Sequence, residues 1–146
     1  MQDVSAVGLS IRLLASVTYP IGTDITAFPE EGENGPDDNH QIVDNTTGVN
    51  GELITWDVIN GIPYTLLVIP NTPDDDKLDF LFEANRASKN KRSKKDVITL
   101  VVTNPVTGVT KTYLNGKVKT GIPGYRYGND GRIRNKTYGF VFEDVV

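Results

Sequence analysis

The chain has 146 residues, 38% hydrophobic and 23% charged, with a formal net charge of −4. A chain of this size suits one domain, here 1–146, and buries roughly 68–70% of its unfolded surface. It has no cysteine, which excludes disulfides and thiolate metal sites, and no apolar run long enough for a membrane-spanning helix. Its mild acidity argues against a tight nucleic-acid binder.

The first residues, Met1-Gln2-Asp3-Val4, lack the basic and apolar regions of a signal peptide. From Val7 to Tyr19, Leu9, Ile11 and Leu13 alternate with Ser10 and Arg12, a period of two that predicts a strand closed by Pro20 and Gly22. Residues 23–51 are rich in Gly, Pro and carboxylates and predict a long loop, with a short strand at Gln41-Ile42-Val43. Glu52–Ile59 and Tyr64–Ile69 flank Asn60-Gly61, a strong two-residue hairpin signal, and Trp56 falls mid-strand as a core candidate. Thr72-Pro73-Asp74-Asp75-Asp76 then carries a cap, a first-turn proline and three carboxylates for the positive dipole end. Leu78, Leu81, Phe82 and Asn85 continue at helical spacing, predicting a helix over about 73–87.

Asp96–Thr103 is β-branched and apolar, and Asn104–Gly108 reads as a turn. Val109–Leu114 and Lys117–Thr120 flank Asn115-Gly116, predicting a second hairpin. Two glycine-bracketed turns carry Tyr125, Arg126 and Tyr127 between them. In the last strand, Arg132–Glu143, Tyr138, Phe140 and Phe142 share one face. The expected fold is mainly β: an antiparallel sandwich or barrel of about seven strands, one flanking helix and the long loop at 23–51.

Chemistry is sparse. His40, the one histidine, lies among carboxylates with no serine in its segment, so it lacks the partners of a catalytic base. Asp74-Asp75-Asp76 sit at consecutive helix positions and diverge, and no calcium-loop spacing or phosphate-binding glycine loop occurs. The expectation is no catalytic residue, no metal and no cofactor.

Charge is the stronger signal. Residues 30–44 carry six carboxylates, Glu30, Glu31, Glu33, Asp37, Asp38 and Asp44, and no Lys or Arg. Residues 86–95 carry Arg86, Lys89, Lys91, Arg92, Lys94 and Lys95. No aromatic interleaves this basic run, so it reads as a solvated or protein-contacting loop rather than a base-stacking one. On copies packed head to tail, the two loops can face each other and fix register. Glu30, Glu31, Glu33, Asp37 and Asp38 with Lys89, Lys91, Arg92, Lys94 and Lys95 are therefore the expected subunit interface.

The order of several stretches resembles structural proteins of contractile-tailed phages, of the tail-tube and tube-like baseplate type. They are Gly8–Ile11, Ala15–Pro20, Gly48–Trp56, Val68-Ile69-Pro70, Asp74–Asp76, Asn85-Arg86, Asp96–Leu100, Asn115-Gly116, Arg132 and Tyr138–Glu143. The resemblance implies a small β domain with a flanking helix, forming hexameric rings that stack into a tube for DNA and a tape-measure protein. It implies no enzymatic activity. It also implies as partners copies of the chain, adjacent rings, sheath, baseplate and tape-measure proteins, with DNA only in passage. The place would be the virion tail, assembled in the host cytoplasm. The long loop would reach a neighbouring subunit. A different class of function, a β-sandwich module binding carbohydrate or a receptor, would need an exposed aromatic platform, for which Trp56, Tyr125 and Tyr127 are the candidates. An enzyme is the third class and has no motif to support it.

Overall fold

A computed structural model describes residues 7–30, 32–37 and 39–146. Ten strands and one helix occur among them, in the order β1 (Ser10–Ala15), β2 (Tyr19–Ile25), β3 (Gly35–Pro36), β4 (Val43–Thr47), β5 (Leu53–Asp57), β6 (Ile62–Val68), α1 (Pro73–Asn85), β7 (Ile98–Asn104), β8 (Val109–Thr120), β9 (Lys136–Phe142) and β10 (Asp144–Val145). Eight strands form one antiparallel sheet, ordered β2-β1-β7-β8-β9-β6-β3 with β10 beside β8. The sheet is open, as in a sandwich. Strands β4 and β5 pair only with each other.

Alternation sets the core. In β1, Ile11, Leu13 and Ala15 are fully buried; in β6, Tyr64, Leu66 and Val68; in β9, Tyr138, Phe140 and Phe142. Tyr64, Tyr113 and Phe142 interlock with ring centroids 4.7 to 6.2 Å apart, close enough for edge-to-face attraction beyond simple burial. The helix adds Leu78 and Leu81. Thr72 caps it, accepting from the Asp75 N–H at 3.2 Å, with Pro73 in the first turn.

The β6 edge of the sheet is held by the two-residue strand β3 together with loop backbone and a side chain. Ile69 N–H donates to the Ala27 carbonyl (3.0 Å), Leu67 N–H to Asn34 Oδ1 (2.6 Å) and Asp37 N–H to the Pro63 carbonyl (3.1 Å). Thr26 and Ala27 N–H both donate to the Asp74 carboxylate, at 2.8 and 2.9 Å. Residues 26–30 and 32–37 therefore run along the outer edge of β6, and Thr26 and Ala27 tie the end of β2 to the start of α1.

Several sequence expectations change. Val7–Tyr19 is not one strand: a turn at 16–18 returns the chain into β2, and Pro20 and Gly22 lie within β2. Residues 23–51 are not a plain loop, since they hold the end of β2, all of β3 and all of β4. The helix stops at Asn85. Neither Asn-Gly pair makes a hairpin. β5 pairs with β4 across Gly48–Glu52, while β6 pairs with β9 and β3. Asn115 does adopt a left-handed φ of 54°, but the chain continues, so that β8 is one strand of twelve residues. Ile98 pairs with Gly116 and Lys117 with Val141. The positive φ therefore bends β8 as it passes from β7 to β9. A Cβ at Gly116 would collide with the Phe142 ring, so glycine is needed for close packing.

Candidate subunit interface

Residues 39–61 form a projecting arm built on the β4–β5 ribbon. Its register pairs Asp44 with Trp56 and Thr46 with Ile54, and Val58 N–H donates to the Ile42 carbonyl at 2.9 Å. Period-two alternation then puts Ile42, Asp44, Thr46, Ile54, Trp56 and Val58 on one face. The other face carries Val43, Asn45, Thr47, Leu53, Thr55 and Asp57. The first face is the more apolar, and nothing among the described residues covers it: Ile42 is 66% exposed, Ile54 49% and Trp56 48%. Trp56 is thus not a core residue. The ribbon has no body beneath it, so mid-strand position does not bury it. A two-stranded ribbon alone is marginal in water, and an exposed apolar stripe of this kind marks a contact surface.

Charge divides along the chain. No Lys or Arg occurs between Arg12 and Lys77, a span that holds twelve of the nineteen carboxylates. All but one of the fifteen Lys and Arg residues lie at or after Lys77. Of the expected interface residues, Glu30, Glu33 and Asp37 are exposed along the β6 edge at the root of the arm, and Asp37 accepts a hydrogen bond from the Thr65 hydroxyl. Glu31 and Asp38 lie outside the described residues. Lys89, Arg92, Lys94 and Lys95 are exposed on the loop after α1. Lys91 turns back instead, donating to the Glu83 carbonyl and standing 3.7 Å from the Glu83 carboxylate. Arg86 also pairs with Glu83, at 2.9 Å; its hydrogen bonds hold that carboxyl below its usual range. Among the described residues, the acidic and basic loops do not pair with each other.

Two buried polar clusters fix the basic loop and helix to the body, and sequence reasoning missed both. Asp96, fully buried, accepts from Val17 N–H (2.7 Å), Thr18 N–H (2.9 Å), the Thr18 hydroxyl (2.6 Å) and the Asn85 amide (2.8 Å). Burial alone would raise its pKa, but these hydrogen bonds outweigh burial and hold it below the ordinary aspartate value. Lys136, 2% exposed, lies 3.6 Å from Asp75 and 3.3 Å from Asp79. The Tyr138 hydroxyl donates to Asp75 at 2.8 Å, and burial followed by that bond pushes the phenol pKa up. The one available signal was Lys136 standing in register with Tyr138, Phe140 and Phe142. Among the described residues, no cluster of three His, Cys, Asp or Glu side chains could hold a metal, and no helix is long and apolar enough to cross a membrane. His40 is exposed near the root of the arm. Tyr127 is exposed and Tyr125 half-buried, their rings 6.4 Å apart.

Residues 2–146 match the family described as tail fiber protein gp32. The chain belongs to that family. Searched among curated proteins, the sequence finds no match. The fold is similar to the sheath/tube terminator of the PVC extracellular contractile injection system in its extended state: TM-score 0.58, 14% identity, covering 100% of this chain and 96% of that one. It is similar also to the tube-terminating cap of the anti-feeding prophage, with TM-score 0.53 and 13% identity over 100% and 91% of the two chains. A chain of the six-fold symmetrised anti-feeding prophage baseplate aligns with TM-score 0.51 and 12% identity over 99% and 96%. The gp32 family protein is a structural component of a tail and not an enzyme.

Proposed function

We propose that this tail protein is a ring-forming subunit of a contractile tail's tube or of the baseplate next to it, where its rings form part of the conduit for DNA and the tape-measure protein. The observation that carries this is the arm: an amphipathic ribbon whose apolar face has no cover among the described residues. The likeness in fold to tube-terminator, cap, baseplate and sheath-tube chains supports a place in the tube assembly, along it or at its end. The segregated charge supports a head-to-tail contact, in which the acidic side of one copy, including Glu30, Glu33 and Asp37, faces Lys89, Arg92, Lys94 and Lys95 of the next. Such heterologous contacts close into rings when the rotation allows. Six copies, sheath and baseplate neighbours, and assembly in the host cytoplasm before incorporation in the virion all belong to this reading.

Light scattering and negative-stain microscopy of the purified protein test it. Rings of constant diameter are expected, and reversal of Lys89, Arg92, Lys94 and Lys95 to Glu should yield a folded single particle. A wild-type chain that stays a single particle at high concentration, and is absent from purified virions, would overturn it. A second reading, a receptor- or glycan-binding module, draws on the exposed Tyr127 beside Tyr125. Glycan binding by a monomer, lost in Tyr127→Ala, would favour that reading instead.

A further inference from the structure

Resting on the ring-forming reading, we infer that the arm of one copy seats on a specific patch of the next copy, where the β1–β2 turn, the outer face of α1 and the basic loop meet. The patch is apolar at one end and positive at the other. Val17 is 55% exposed, Ile21 85% and Phe80 62%. They are held in one neighbourhood: the Tyr19 hydroxyl donates to the Lys77 carbonyl at 3.0 Å, and the Tyr19 and Phe80 rings lie 6.3 Å apart. Asp96 bonds the turn at Val17 and Thr18 to Asn85 at the end of the helix. Lys94 N–H donates to the Ala84 carbonyl at 2.9 Å, bringing the basic loop to the same helix end. Arg92, Lys94 and Lys95 are exposed there. The nearest helix carboxylate, Glu83, is already neutralised by Arg86 and Lys91, so that end of the patch is positive. Asp76 stands one turn N-terminal of Phe80 and marks the other end.

The arm is the complement in charge and in exposed apolar side chains. It carries Asp44, Glu52 and Asp57 and no cation. Asp44 lies directly across from Trp56 on the apolar face itself, and no ion pair to it forms among the described residues. Covering that face would bury a lone carboxylate, which costs stability unless a cation meets it. The patch supplies apolar cover for Ile54 and Trp56 and, one turn further along the helix, cations for Asp44 and Glu52. Its occupant is therefore a second copy's arm.

Complementary charge reversal tests the pairing. One variant, D44K with E52K, has a positive arm on a positive patch. The other, R92E with K94E and K95E, has a negative arm on a negative patch. All five positions lie outside the core, so each variant should melt with the parent. Each alone should assemble at least about a hundredfold more weakly than wild type. Mixed one to one, they should form alternating rings, because every arm then meets a patch of opposite sign. A photo-crosslinking amino acid at position 54, in mixed isotope-labelled copies, should join residues 17–21, 77–80 or 92–95 of the other copy. If wild type forms rings but the mixture does not, or the crosslinks map elsewhere, the docking geometry is overturned and the ring-forming reading stands. If wild type itself stays a single particle, both fall.

Discussion

Strands β9 and β5 are written in similar residues and meet opposite environments. In β9, Tyr138, Phe140 and Phe142 are each 1% exposed. In β5, Leu53, Ile54 and Trp56 are 63%, 49% and 48% exposed. The difference lies in what each strand pairs with: β9 sits between β8 and β6 over the core, whereas β5 has β4 alone. The body meets every polar demand internally, with no buried side-chain nitrogen or oxygen lacking a partner among the described residues. The arm's apolar face finds no cover among the described residues. The body is therefore where a substitution should cost folding, and the arm where it should cost assembly.

The largest effects belong to the body. Phe140→Ala should destabilise the single chain by about 3–5 kcal/mol through the cavity it leaves. Lys136→Met should cost a similar amount, about 3–5 kcal/mol, because it strands the buried Asp75 carboxylate. Urea denaturation of the disassembled chain checks both. If Lys136→Met were neutral, the ion pairs of Lys136 would contribute nothing net to holding helix α1, and the contrast would rest less on polar completeness at this cluster than on hydrophobic burial.

Asp96→Asn comes next, at about 1.5–3 kcal/mol, since hydrogen bonds to a charged acceptor become neutral ones and one acceptor is lost. The sign with pH follows from its lowered pKa. A carboxyl held below its unfolded value, near about 3.9, contributes stability that is present above that pH and lost as pH falls through the folded pKa. Thermal melts of wild type should therefore drop in acid below about pH 4, and Asp96→Asn should show a flatter acid limb. An unchanged limb would mean that other carboxylates dominate acid unfolding.

Much of the body was legible in the sequence because it is written in local terms. Alternation in β1, β6 and β9 and the Thr72-Pro73 start of α1 each state their own geometry. What was not legible depends on partners distant in sequence. Asn115 announces a left-handed residue, and whether that reverses the chain or bends one long strand is decided by β7 and β9 on either side. Asn60-Gly61 reads as a turn, yet Gly61 has no positive φ; a Cβ there would approach Val141 Cγ2 to 2.8 Å, so close packing explains it. Strand β4, Val-Asp-Asn-Thr-Thr, reads as loop because its pairing with β5 needs no apolar side chain of its own. The charge of the acidic and basic loops was legible residue by residue, but not that Lys91 would be drawn back onto Glu83, nor that the arm would carry Trp56 outward.

The smallest stability effect should come from the arm, and there the contrast is sharpest. Trp56→Ser removes the largest side chain of an exposed ribbon, so the single chain should shift by no more than about 0.5 kcal/mol, as other surface changes do. Assembly should respond differently, because buried tryptophan at a protein contact is commonly worth about 2 kcal/mol or more. Sedimentation velocity and a thermal melt on the same sample separate the two. A normal melt with lost rings is expected. A melt lowered as far as that of Phe140→Ala would mean the arm folds back onto its own body in solution, and the division between a self-sufficient body and an outward arm would fail.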